Sequence, residues 1–135
     1  MNEKYMEIAY LEAKKAYKKM EVPVGAVIVK DNKVISKAHN LMETKNDCTK
    51  HAEIIAIKKA SKKLKNWRLI DCDLYVTLEP CEMCKGAISL SRIKNVYFSV
   101  KKEDKKTKDT CNYIFKSDNN KCLELLKSFF NKLRR

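Results

Sequence analysis

The chain is poor in residues that break regular structure: its 135 residues hold two glycines and two prolines. That excludes collagen-like repeats, Gly/Pro-rich low-complexity segments and flexible linkers between domains. Long apolar runs are missing as well. Val22 to Val29, uncharged, is far short of the ~18 apolar residues that a membrane-spanning helix needs. Glu3, Lys4 and Glu7 stand where an export signal would have its apolar core, so a cytoplasmic protein with no membrane partner is expected. Acidic residues are also few, 17 against 30 basic ones, and the charge of +13 favours a polyanionic partner such as nucleic acid. Only four of the basic residues are Arg (Arg68, Arg92, Arg134, Arg135), and the lysines are scattered over almost every segment, so a lysine-rich composition competes as the source of the charge.

What is present suits one domain over residues 1–135. A chain of this length buries about two thirds of its unfolded surface in a single core, and 44% hydrophobic with 35% charged residues is an ordinary globular balance. Six cysteines could pair, but in a reducing compartment clustered cysteines more often bind metal. Cys81 and Cys84 form the one CxxC, while Cys48, Cys72, Cys111 and Cys122 read as small buried hydrophobes or idle thiols.

Met6, Ala9, Ala13, Ala16, Tyr17 and Met20 recur at helical spacing within Glu3 to Met20, which predicts an amphipathic helix. Pro23 and Gly25 end it, and residues 24–38 read as a hairpin turning at Asp31-Asn32. A polar loop from His39 to Lys50 leads to a helix beginning near Ala52. A strand over 74–78, a helix over about 81–91, a strand over 94–100, a charged connection over 101–110, a short strand over 112–115 and a last amphipathic helix with Leu123, Leu126, Phe129, Phe130 and Leu133 follow. This order predicts an α/β fold, a three-layer α/β/α sandwich around a mixed five-stranded sheet. Ligand sites in such sheets lie beyond the carboxyl ends of strands, where helix amino termini converge.

Both motifs with chemical content start a helix. His51-Ala52-Glu53 and Pro80-Cys81-x-x-Cys84 together spell H-x-E…P-C-x-x-C, the zinc deaminase signature. Zinc takes imidazole and thiolate ligands, and a catalytic ion keeps three protein ligands and one open position. His51, Cys81 and Cys84 supply three, for one Zn2+ per chain, and two thiolates balance its charge. Glu53, two residues past His51 in an opening turn, is placed to carry a proton between the nucleophilic water, a ring nitrogen and the leaving amine. That reads as hydrolytic deamination. A structural zinc site would instead need Cys48, Cys72 or His39 as a fourth ligand.

The sequence resembles the tRNA-specific adenosine deaminases of bacteria and the related catalytic subunits of eukaryotes, within the cytidine deaminase-like superfamily. The resemblance runs through Glu21-Val22-Pro23-Val24-Gly25-Ala26-Val27, His51-Ala52-Glu53-Ile54, Leu74 to Cys81 with Met83-Cys84 and Gly86-Ala87, and Ser91-Arg92-Ile93. It covers about residues 5–100, and all the glycines and prolines lie inside it. It implies deamination of adenosine to inosine at the wobble position of a tRNA anticodon, with the base splayed out of the loop. By position Asn40 matches the family's substrate-binding asparagine, and Phe129, Phe130, Lys132, Arg134 and Arg135 match a carboxy-terminal helix that contacts RNA. The family also implies a homodimer, or a heterodimer in eukaryotes. This chain departs from it at Asp47-Cys48-Thr49, where bacterial members usually have proline before the threonine, and over Lys101 to Asn112, which is short and glycine-free. Two other readings share the zinc motif: a deaminase of free bases, nucleosides or nucleotides, and a non-catalytic zinc-bearing RNA-binding subunit.

Overall fold

The structure is a computed structural model that describes residues 3–102 and 111–133. In chain order the elements are α1 Glu3–Lys18, β1 Gly25–Lys30, β2 Lys33–His39, α2 Ala52–Leu64, β3 Cys72–Leu78, α3 Glu82–Leu90, β4 Asn95–Val100, β5 Asn112–Phe115 and α4 Lys121–Leu133. Every predicted element is found. The sheet order is β2-β1-β3-β4-β5. β1 pairs antiparallel with β2 and β3, whereas β3, β4 and β5 run parallel, so the sheet is mixed as the sequence predicts.

Local chemistry explains the boundaries. The β1–β2 turn places Asp31 and Asn32 at φ 52° and 60°, the left-handed pair of a tight hairpin, and these two residue types tolerate it best after glycine. α1 stops at Lys18, earlier than the spacing predicts: Met20 turns to φ 62° while the Glu21 amide donates to the Ala16 carbonyl at 2.9 Å. Met20 is therefore half exposed and not part of the buried stripe, which consists of Tyr5, Met6, Ala9, Ala13 and Ala16 with Glu12.

α1 covers one face of the sheet, where Tyr5, Met6 and Ala9 pack on Val27, Val29 and Tyr75. α4 lies on the same side, with Phe129 against Tyr17 of α1. α2 and α3 cover the other face over Ala26, Ile28, Leu74, Val76, Val96 and Phe98. The central strands β1 and β3 are thus buried on both faces, which is why their sequences are almost continuously apolar.

One glycine fixes how closely α1 lies on the sheet. A Cβ added at Gly25 would sit 1.9 Å from the Ala9 carbonyl oxygen and 2.6 Å from the Ala13 nitrogen, so only glycine fits there. The opposite strand end, His39-Asn40, is held level with it: Gly25 pairs with His39, and the Asn40 amide donates to the Val24 carbonyl at 3.2 Å. The carboxyl ends of β2 and β3 and the start of β1 therefore meet at one edge, where α2 and α3 begin.

Candidate active site

His51 and Cys81 are both N-cap residues, at φ −75°, ψ 151° and φ −76°, ψ 175°, and neither side chain bonds back to its own helix. They turn to each other instead. His51 Nδ1 lies 3.6 Å from Cys81 Sγ and 3.4 Å from Cys84 Sγ. Cys84 is the third residue of α3, and an N-cap side chain and the third helical side chain face one another, the spacing that a capping box uses. The sequence places both cysteines inside the helix; Cys81 in fact stands just outside it, which lets its sulfur swing toward the imidazole.

A bound zinc fits this triangle. With Zn–S near 2.3 Å and Zn–N near 2.0–2.1 Å, two tetrahedral ligands lie about 3.6 Å apart, close to the distances found. Among the described residues His51, Cys81 and Cys84 are the one group of three such donors within 4.8 Å of one another. The candidates for a fourth ligand do not join the group: Cys72 is buried at the start of β3, Cys48 meets the His51 ring through its main chain while its thiol stays outside the donor set, and His39 donates from Nδ1 to Glu12 at 2.9 Å while its Nε2 accepts from Lys19 at 3.0 Å.

The electrostatics ask for a cation. Burial first, then the neighbouring Glu53 and Cys81, pushes the Cys84 thiol far above its ordinary value. Burial, aided by the Lys102 ammonium, holds the His51 ring below its ordinary value, which favours the neutral imidazole that ligates metal. The amino terminus of α3, which carries Cys81 as its N-cap and Cys84 in its first turn, favours thiolate there. Glu53, 4% exposed, is pushed up to about 7 by burial, against the pull of its own main-chain amide, Lys102 and the Cys84 thiol. A carboxyl group poised near neutrality can both take and return a proton.

Asn40 is buried, and its Oδ1 accepts from the Ala52 amide at 2.7 Å, which caps α2 in place of His51. The structure thus joins Asn40 to the metal-site helix and leaves its Nδ2 as the atom available to a ligand. α4 divides the two predicted aromatic contacts. Phe129 is 3% exposed and packs edge-on against Tyr17, whereas Phe130 is 43% exposed. Arg134 and Arg135 lie outside the described residues.

Sequence reasoning missed two groups beside the site. Lys102 acts on both His51 and Glu53, and its amide donates to Glu79 at 3.0 Å. Glu21 is 1% exposed and takes three hydrogen bonds from the loop that ends at His51. The only hint of Glu21 was its position ahead of Val22-Pro23-Val24-Gly25, and Lys102 gave none.

The fold and a three-donor site with a buried carboxylate define the class. Residues 1–100 match the cytidine and deoxycytidylate deaminase zinc-binding region, and the chain belongs to that family. Among relatives, it is 46% identical over 146 residues to a tRNA-specific adenosine deaminase of Aquifex aeolicus, covering 98% of this chain and 95% of that one. It is 53% identical over 97 residues to the tRNA-specific adenosine deaminase of Bacillus subtilis, covering 72% of this chain and 60% of the relative. A solved structure from work on A-to-I editing by tRNA:A34 deaminases superposes with TM-score 0.77 at 36% identity, over 84% of this chain and 97% of that one. The guanine deaminase of Bacillus subtilis superposes with TM-score 0.72 at 33% identity, over 97% and 95%. The fold is therefore cytidine deaminase-like, and the enzyme class is zinc-dependent deaminase.

Proposed function

We propose that residues 1–135 form a single deaminase domain that converts adenosine to inosine at the wobble position of a tRNA anticodon. His51, Cys81 and Cys84 hold one zinc ion and Glu53 moves the proton. The observation that carries the chemistry is the pair of thiols 3.4 and 3.6 Å from the His51 ring nitrogen, all three donors within 4.8 Å of one another, with a buried carboxylate beside them. The substrate assignment is supported by the relative from Aquifex aeolicus, which this chain matches almost end to end.

Zinc, when bound, supplies a Lewis acid that makes water a nucleophile at neutral pH. The chain's own groups do the rest. Glu53, buried and held near neutrality, takes a proton from the attacking water, gives one to the ring nitrogen and assists loss of the amine. The balance is one adenosine plus one water to one inosine plus one ammonia. Asn40 Nδ2 offers a hydrogen-bond donor to the nucleoside, in a residue fixed by its cap on α2. Phe130, exposed on α4, with Lys132 on the same helix and Arg134 beyond it, supplies the RNA contact. Among the described residues no helix is long and apolar enough to cross a membrane. The cytoplasm as the compartment and a second copy of the chain as partner complete the reading on the family resemblance.

The test is turnover by the purified zinc-loaded protein on an anticodon stem-loop with a wobble adenosine, beside free adenosine, cytidine and guanine. Inosine from the RNA alone supports the proposal. Turnover of free guanine would move the chain to the activity of its guanine deaminase neighbour, and no turnover with zinc retained would make it a non-catalytic subunit.

A further inference from the structure

We infer that Glu21 is a positioning residue for the substrate: its buried carboxylate anchors the loop over residues 41–50 that joins Asn40 to His51. This inference deepens the functional reading above and rests on it.

The loop is closed at its base and pinned from below. The Leu41 amide donates to the Lys50 carbonyl at 2.9 Å, and the Ala52 amide donates to Asn40 Oδ1 at 2.7 Å, so both ends of the loop are fixed to the start of α2. Inside it, Lys45 donates to the Leu41 carbonyl at 2.9 Å, Asp47 donates to the Met42 carbonyl at 3.0 Å, and the Asp47 carboxylate accepts from Thr49. Its outer residues, Glu43 to Asn46, are exposed and carry no apolar side chain to hold them down. What ties this tip to the body is Glu21: Oε1 accepts from the Glu43 amide at 3.0 Å, and Oε2 accepts from the Thr44 amide and hydroxyl, both at 2.6 Å.

A buried charge with three converging donors is a directional clamp. Burial alone would raise this carboxyl, but the Thr44 hydroxyl and the amides of Glu43 and Thr44, with help from His39, hold it ionised below its ordinary range. Glu21 is itself rigidly placed, since it follows the left-handed Met20 and its amide is bonded to Ala16. The chain from α1 through Glu21 to the loop therefore braces the segment between Asn40 and His51, whereas His51 itself is held at the start of α2 and by a hydrogen bond between its ring and the Cys48 main chain.

Two variants test this on the zinc-loaded full chain with the anticodon stem-loop. Glu21→Gln keeps the size but offers one acceptor, and Thr44→Val removes one of the three donors and leaves the carboxylate. With the loop tip released and the three candidate metal donors in place, zinc stays at one per chain and kcat stays within about 3-fold. KM then rises by about 10-fold in Glu21→Gln and by a smaller factor in Thr44→Val. Unchanged KM in Thr44→Val, or loss of zinc with collapse of kcat in Glu21→Gln, overturns the inference. A parental chain without turnover on the RNA sinks the functional reading instead. Amide hydrogen exchange at Glu43 and Thr44 then reads the clamp directly, and equal exchange in the parent and Glu21→Gln overturns it.

Discussion

At the scale of single residues, two buried glutamates show how environment sets a role. Glu53 is raised to about 7 because burial dominates, whereas Glu12 is held below its ordinary 4.5 although burial opposes this, because Lys15 at 2.7 Å and His39 at 2.9 Å donate to it. The first is suited to proton traffic and the second to holding α1 against the end of β2. Replacing Glu53 by Gln removes the proton carrier and leaves the three metal donors, so the variant should keep one zinc per chain and lose about 10²–10⁴-fold in kcat. Turnover at the parental rate would refute the assignment. Glu12 predicts a pH effect of definite sign. Its folded pKa lies below the unfolded one, so its stabilisation is complete above 4.5 and is lost as pH falls through the folded value. Thermal scans between pH 7 and pH 3 should therefore show a steeper acid loss in the parent than in Glu12→Gln, and equal slopes would count against the ion pair.

At the scale of elements, the two glycines predict opposite outcomes. Gly25→Ala drives a methyl group into the α1 backbone at Ala9 and Ala13, which cannot yield as a flexible side chain would, and should cost about 1–3 kcal/mol or more of stability. Gly86 sits inside α3 with open space where a methyl group would stand, nothing lying within 4 Å of it, and Gly86→Ala should stabilise the isolated chain by about 0.5–1 kcal/mol through helix propensity. Thermal melts of the two variants measure both signs. The elements themselves were legible because their periods are local: alanines at helical spacing give α1, and the apolar Gly25 to Val29 gives a strand buried on both faces. The candidate metal donors that the fold brings together were legible for the same reason, since H-x-E and C-x-x-C each fall within one turn. Glu21 and Lys102 were not, because they meet partners 22 and 23 residues away in Thr44's neighbour Glu43 and in Glu79, and no period encodes such a contact. The division of Phe129 from Phe130 also depended on tertiary packing: the two are adjacent on α4, and Phe129 is the one that packs against Tyr17 of α1 while Phe130 stays exposed.

At the scale of the whole molecule, the charge of +13 gives a prediction separate from the chemistry. If lysines meet the phosphates of a single-stranded anticodon loop, binding releases condensed counterions and log K falls with log salt at about −0.7 per phosphate engaged. A footprint of about four phosphates would then weaken binding about 50-fold between about 50 and 200 mM salt. A lysine-rich composition without an aligned surface gives a much flatter slope, because scattered charges meet few phosphates at once. Lys132, on α4 two residues beyond the exposed Phe130, allows the two to be told apart. Lys132→Ala should lower the slope by about 0.7 if it meets a phosphate, while kcat at saturating RNA stays unchanged because Lys132 is not among the groups around His51 and Glu53. Measuring RNA affinity across the salt series in both proteins decides it: parallel lines for parent and variant would remove α4 from the RNA surface, and a flat parental line would reduce the net charge to composition.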